Sequence, residues 1–312
     1  MVKRRNFLLA AGLGLAAASG SSRAEQDDMT PADTPQPSRN GIALALGGGA
    51  AKAFAHIPFL ETLDDMGIRP QQIAGTSMGS IIGALYCGGM SGRGIREFAL
   101  ETFSGGPSLF KRLLLDTGDN WSSLFNLFRP AVIEPEVLLK SLLPEGFPDR
   151  FSDLDIPLKV VATDFYGQSQ KIMSEGPLLP AIAASSALPV LLTPVRVDGR
   201  VLIDGGFVNP TPFDILDSSR YATIGIDVTG SDDEDTGEIP SSMDTWTGSM
   251  SITQHSIVLE KLQTSQPDLF IAPPVGQFET MDFFEIEAIL AAASEQQDVF
   301  RQGVESILQN QP

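Results

Sequence analysis

Between residues 41 and 271 the chain alternates short apolar runs with longer segments of helical periodicity. Gly41–Leu46, Ile156–Thr163 and Ala222–Val228 are nearly unbroken in apolar character, the pattern of strands buried on both faces. Arg200–Asp204 and Asp268–Ile271 predict two shorter strands. Lys52–Met66 predicts a helix with Phe54, Ile57, Phe59, Leu60 and Leu63 facing inward. Ile73–Thr76 reads as a strand running straight into an apolar helix, and Leu179–Leu188 as a small-residue helix. Ser249–Leu262 is helical, and Phe283–Leu308 predicts one or two amphipathic helices. Strands separated by helices argue for an α/β architecture: a mostly parallel central sheet flanked by helices in three layers.

Three junctions in this pattern carry chemistry. The first is Gly75-Thr76-Ser77-Met78-Gly79, a G-x-S-x-G between strand and helix. Glycines at both ends let the turn close and the helix pack against the strand, lifting the Ser77 hydroxyl toward a helix N-terminus. There, free N–H groups and the helix dipole stabilise negative charge. The bland reading is a tight turn with a helix-capping serine. The second junction, Gly47-Gly48-Gly49-Ala50-Ala51-Lys52-Ala53, follows the first strand. It is neither the G-x-x-x-x-G-K-[ST] of a phosphate loop nor the G-x-G-x-x-G of a dinucleotide site. A third reading is an oxyanion hole beside the Ser77 elbow. The third junction, Asp204-Gly205-Gly206, ends a short strand. By itself it is a turn; beside a nucleophile, Asp204 is a general base. A rival triad takes His255 as the base, in the order Ser77, Asp204, His255, although Gln254-His255-Ser256 falls in a helical segment. Ser185 and Ser186 lack a glycine elbow.

Leu44–Leu60 followed by the Gly75–Leu85 elbow resembles the patatin-like phospholipase family, whose motif reads roughly LALGGGGARGFAHIGVL and then GTSxGAIIGAL. The resemblance continues through Asp204-Gly205 and covers about 41–312. It implies the patatin-like fold and a Ser77–Asp204 dyad that needs no histidine. It implies an oxyanion hole at Gly48, Gly49 and Ala50, and a phospholipid or other lipid ester as substrate. It implies neither metal nor cofactor. It also makes His56 structural and matches Ala184–Pro189 to the family's serine-alanine-proline segment. Three positions depart from the motif: Ala50 and Ala53 replace glycine, and Lys52 replaces arginine. Alanine keeps its N–H but costs on the order of 1 kcal/mol where φ must be positive. Lys52 keeps a charge to support an anion but loses the planar fork. Two alternatives follow: an acyltransferase working through the same acyl enzyme, and a lipid-binding member with impaired catalysis.

Composition bounds the rest. A formal charge of −18 over 312 residues argues against nucleic acid and against tight docking on anionic membranes. The lone cysteine, Cys87, excludes an intrachain disulfide and lies in an apolar run; no Cys/His spacing suggests zinc. Met1–Ala24 reads as an export signal: Lys3-Arg4-Arg5, an apolar stretch Phe7–Ala18, and small residues at Ser22 and Ala24. Arg4-Arg5-Asn6-Phe7-Leu8 resembles a twin-arginine motif; an ordinary secretory signal or an uncleaved membrane anchor are the alternatives. The protein is therefore expected outside the cytoplasm, periplasmic or secreted. Glu25–Asn40, with Pro31, Pro35 and Pro37, reads as a linker, leaving 41–312 as the lipase-like domain. Within Phe98–Leu143, Phe110, Leu114 and Trp121 near Lys111 and Arg112 suggest either helix packing or an apolar lip in transient contact with a membrane surface. The acidic stretch Ser231–Glu238 lacks calcium-loop spacing and reads as solvated.

Overall fold

The computed structural model describes residues 39–103, 134–230, 239 and 241–311. The export signal, the proposed lip at 108–121 and the acidic stretch lie outside the described residues. The first strand, β1 (Ile42–Leu46), is buried at every position. Its alternating side chains divide the molecule into layers. Ile42, Leu44 and Leu46 face a large core shared with α1 (His56–Asp65) and α2 (Met78–Cys87). Two C-terminal helices, Ile286–Ser294 and Gln297–Gln309, close that side. Ala43 and Ala45 face the opposite side, where Phe213, Leu216 and Val258 pack closely on small residues. Cys87 is fully buried in the large core, where burial pushes its thiol up.

Parallel pairing joins β1 to β2 (Gln72–Thr76) and to β7 (Ala222–Ile226), β2 to β3 (Leu158–Asp164), and β7 to β8 (Leu269–Ile271). Antiparallel pairing joins β3 to β4 (Ser169–Met173) and to β6 (Arg200–Asp204), and β6 to β5 (Val195–Val197). The sheet is thus mixed and mostly parallel, with helices on both faces. Its decisive feature is on β3. Leu158–Val161 pairs with Ile73–Thr76, and the next residues, Ala162–Asp164, pair with Leu202–Asp204. Since β4 runs along Val160–Asp164 as well, β2 and β6 must share the opposite edge, end to end. Thr76 is level with Val161 and Asp204 with Ala162, so two strands from distant sequence point their C-terminal ends at each other.

Several expectations need correction. The helix expected from Lys52 begins as a 3-10 turn, Ala50–Ala55, and becomes α-helical only at His56. The tight entry from Gly49 and Ala50 imposes i→i−3 bonding there, as in the Lys52 N–H to Gly49 O bond of 3.1 Å. The helix expected over 249–262 starts earlier and spans Ser242–Thr264. Strands β4 and β5 were not read from the sequence, being short and partly polar edge elements. Arg39 and Asn40, assigned to the linker by composition, are tied to the sheet: Arg39 pairs with Asp268 at 2.8 Å, and the Asn40 N–H donates to Arg220 O.

Candidate active site

Ser77 sits between the end of β2 and the start of α2 with φ 51 and ψ −129, a conformation that costs a non-glycine residue about 1–3 kcal/mol. The surroundings impose it. A Cβ on Gly79 would lie 2.4 Å from Leu46 O, and one on Gly75 would lie 2.6 Å from Ser80 Cα. Only glycines therefore let the elbow seat against the end of β1. The turn is then tied down by hydrogen bonds. Ser80 donates to Ser77 O through its backbone N–H at 2.8 Å and its hydroxyl at 2.7 Å. The Ser77 N–H donates to Ser185 Oγ at 2.8 Å, and the buried Ser185 hydroxyl donates to Val161 O at 2.5 Å. Ser185 is the residue the sequence reading undervalued. Its hydroxyl, buried beneath the elbow, holds the Ser77 backbone. Its signal was the small-residue helix Leu178–Ser185, which packs against β3.

The end-to-end arrangement of β2 and β6 delivers the partner. The Ser77 hydroxyl donates to Asp204 Oδ2 at 2.6 Å, and the Gly206 N–H donates to Asp204 Oδ1 at 2.8 Å. Burial of Asp204, 3% exposed, pushes its carboxyl up to about 6 against the pull of those two donors. A base near 6 is better matched to neutral pH than an ordinary aspartate. Gly205 leaves no room for a side chain: a Cβ there would lie 2.2 Å from Val161 O. Thr76 Oγ1 donates to Asn209 O at 2.7 Å and Thr163 Oγ1 to Asp204 O at 2.7 Å, so both strand ends are fixed from below.

The glycine loop lies alongside and corrects one expectation. The Gly48 N–H donates to Pro210 O at 2.9 Å and so turns away from the cleft as a donor. Gly48 contributes space instead, because a Cβ there would come within 3.1 Å of Ser77 Cβ. Gly49 and Ala50 line the cleft beside Ser77. Ala50 has φ 46, the left-handed conformation in which alanine is disfavoured. Lys52 is buried in the cleft wall and its Nζ donates to Gly230 O at 3.2 Å.

Neither histidine hydrogen-bonds Ser77 or Asp204. His56 is fully buried, and its Nε2 bonds Gly47 O at 2.8 Å. Burial lowers it to about 4, so it is a neutral imidazole that holds the glycine loop from inside. His255 lies beside Gly230 and influences the buried Asp227. With one Asp204 oxygen on Ser77 and the other on Gly206, no imidazole stands between serine and carboxylate. Among the described residues, no cluster of His, Cys, Asp or Glu is arranged to hold a metal ion. The remaining cleft wall comes from Leu188, Val228 and the inward face of the 242–264 helix, including Trp246, Met250 and Gln254.

The chain is 33% identical over 192 residues to an uncharacterized NTE family protein of Mycobacterium tuberculosis, covering 61% of this chain and 50% of that protein. It is 29% identical over 276 residues to human patatin-like phospholipase domain-containing protein 6, covering 80% of this chain and 19% of that protein. The chain thus spans about half the length of the mycobacterial relative and about a fifth of the human one. Solved structures that superpose on it include VipD from Legionella pneumophila, at TM-score 0.45 and 14% identity over 87% of this chain and 67% of that one. Human GIVD cytosolic phospholipase A2 gives TM-score 0.45 and 12% identity over 86% and 59%. The sequence profile of patatin-like phospholipases matches residues 44–217. Because that match spans more than half of the chain and contains both Ser77 and Asp204, the chain belongs to the patatin-like phospholipase family.

Proposed function

We propose that the chain is a serine acyl hydrolase that cleaves carboxylic esters of lipids through an acyl-Ser77 intermediate. The observation that carries this reading is the 2.6 Å contact from Ser77 Oγ to Asp204 Oδ2 in the lining of a cleft with apolar walls. In the reaction, Asp204 accepts the hydroxyl proton as Oγ attacks the acyl carbonyl. The N–H groups of Gly49 and Ala50 receive the developing oxyanion, while Gly48 takes no part as a donor. Asp204 then returns the proton to the departing alcohol as its C–O bond breaks. Water reverses the sequence and frees the acid. Leu188, Val228, Trp246 and Met250 suit the acyl chain of a phospholipid or other lipid ester. Export directed by residues 1–24 belongs to the same proposal, and cell fractionation tests it.

The test of the chemistry is product analysis with purified protein in chelator, using phospholipid and short para-nitrophenyl esters. Wild type releases free fatty acid, and Ser77→Ala loses roughly 10³-fold or more in rate. Hydrolysis that persists in Ser77→Ala refutes the reading. Acyl ester formed from an added alcohol, in preference to free acid, replaces hydrolase by transferase.

A further inference from the structure

The helix Ser242–Thr264 turns one face inward. Thr247, Met250, Ser251 and Gln254 follow one another at helical spacing along the cleft, and the face continues to Val258, 1% exposed in the core. Gln254 is half-buried on this stripe, so its amide can face water in the cleft. Among the described residues no group hydrogen-bonds to that amide. Its place is well defined. A Cβ on Gly206 would lie 2.5 Å from the Gln254 amide nitrogen and 3.1 Å from Asp204 Oδ1. The amide therefore sits over the peptide that caps Asp204, in the cleft that Ser77 and Asp204 also line. An amide can donate and accept at once, which is what holding a water or an alcohol hydroxyl against a carboxylate requires.

We infer that Gln254 seats the second nucleophile of the reaction, and so sets whether the acyl enzyme is resolved by water or by another alcohol. The inference rests on the proposed acyl-Ser77 chemistry. In the step, Gln254 holds a water beside Asp204. One water proton passes to the carboxylate while the water oxygen bonds to the acyl carbon. The bond from that carbon to Ser77 Oγ then breaks, and Asp204 returns the proton to Oγ. Nothing is oxidised or reduced, and the products are free acid and the original serine. Acylation uses the Oδ2 side of Asp204 and does not need the amide.

Stopped-flow turnover of a para-nitrophenyl ester, with and without added methanol, tests this on wild type, Gln254→Leu and Gln254→His. Labelling of Ser77 by a fluorophosphonate probe is measured in parallel. In Gln254→Leu the pre-steady-state release and the labelling rate stay near wild type. Steady-state turnover falls roughly five- to tenfold, the equivalent of one lost hydrogen bond. The ratio of free acid to methyl ester shifts toward the ester, and Gln254→His, which keeps a donor and an acceptor, restores both. An unchanged product ratio and turnover overturn the inference. So does a parallel fall in labelling and turnover, which would mean that Gln254 supports Ser77 itself. If wild type neither labels nor turns over, the acyl-enzyme reading fails, and this inference with it.

Discussion

Asp204→Asn is the most informative single change, because it separates what the carboxylate does for catalysis from what it costs the fold. The asparagine is isosteric. Its oxygen can still accept from the Gly206 N–H, and its amide can donate to Ser77 Oγ, so both contacts seen at 2.8 and 2.6 Å survive with one donor reversed. What changes is the charge. The Asp204 carboxyl titrates at about 6 in the fold against 3.8 in the unfolded chain. A raised carboxylate binds more protons folded than unfolded, so its contribution to stability is greatest below 3.8 and is lost as pH rises through 6. The difference between 3.8 and about 6 corresponds to about 3 kcal/mol. Relative to wild type, Asp204→Asn should therefore gain about 2.4 kcal/mol between pH 4 and pH 8, the rest of that figure falling below pH 4. For a chain of this size that is on the order of 5 °C in melting temperature. Hydrolysis should be lost over the same range. Urea or thermal unfolding of both proteins across pH 4–8 is the assay. Titration of His56 and Asp227 is common to the two proteins and cancels in the difference. A stability difference that stays flat across this range would show that burial does not raise the Asp204 carboxyl, and the argument for its fitness as a base would fall with it.

Three further outcomes follow from the same geometry. kcat/KM should rise with pH through about 6 and level off above it, since Asp204 must be ionised to accept the Ser77 proton; a limb centred near 4 would contradict the buried base. Ser185→Ala leaves the Ser77 N–H and the Val161 carbonyl without their buried partner. It should destabilise by about 1–3 kcal/mol and slow fluorophosphonate labelling of Ser77, whereas neutrality in both urea unfolding and labelling would refute the role given to Ser185. Ala50→Gly releases a strained φ of 46 but adds unfolded-state entropy. Stability should stay within about 1 kcal/mol with turnover equal to or above wild type, and a tenfold loss of activity would show that the Ala50 methyl matters.

Much of this protein is legible in its sequence because local rules fix it. The buried run Ile42–Leu46, the strand-to-helix elbow at Ser77 and the turn after Asp204 are each set by residues within a few positions. Where a Cβ would strike a backbone oxygen at 2.2–2.5 Å, as at Gly205 and Gly79, only glycine will do, and glycine is visible in a sequence. The helix boundary at His56 and the strands β4 and β5 were less legible. Their bonding depends on the entry angle at Gly49 and on neighbours along a sheet edge, not on periodicity.

The sequence by itself determined the elbow, the glycine loop, the carboxylate and the α/β alternation, because these depend on conformational preference and hydrophobic pattern along short stretches. The tertiary structure decided which groups meet. Sharing one edge of β3 puts Ser77 against Asp204 across 127 positions of chain. Pro210 claims the Gly48 N–H, Ser185 claims that of Ser77, and burial moves Asp204 toward neutral pH. Hydrogen-bond partnership and desolvation are properties of a packed neighbourhood, and no spacing in the chain encodes them.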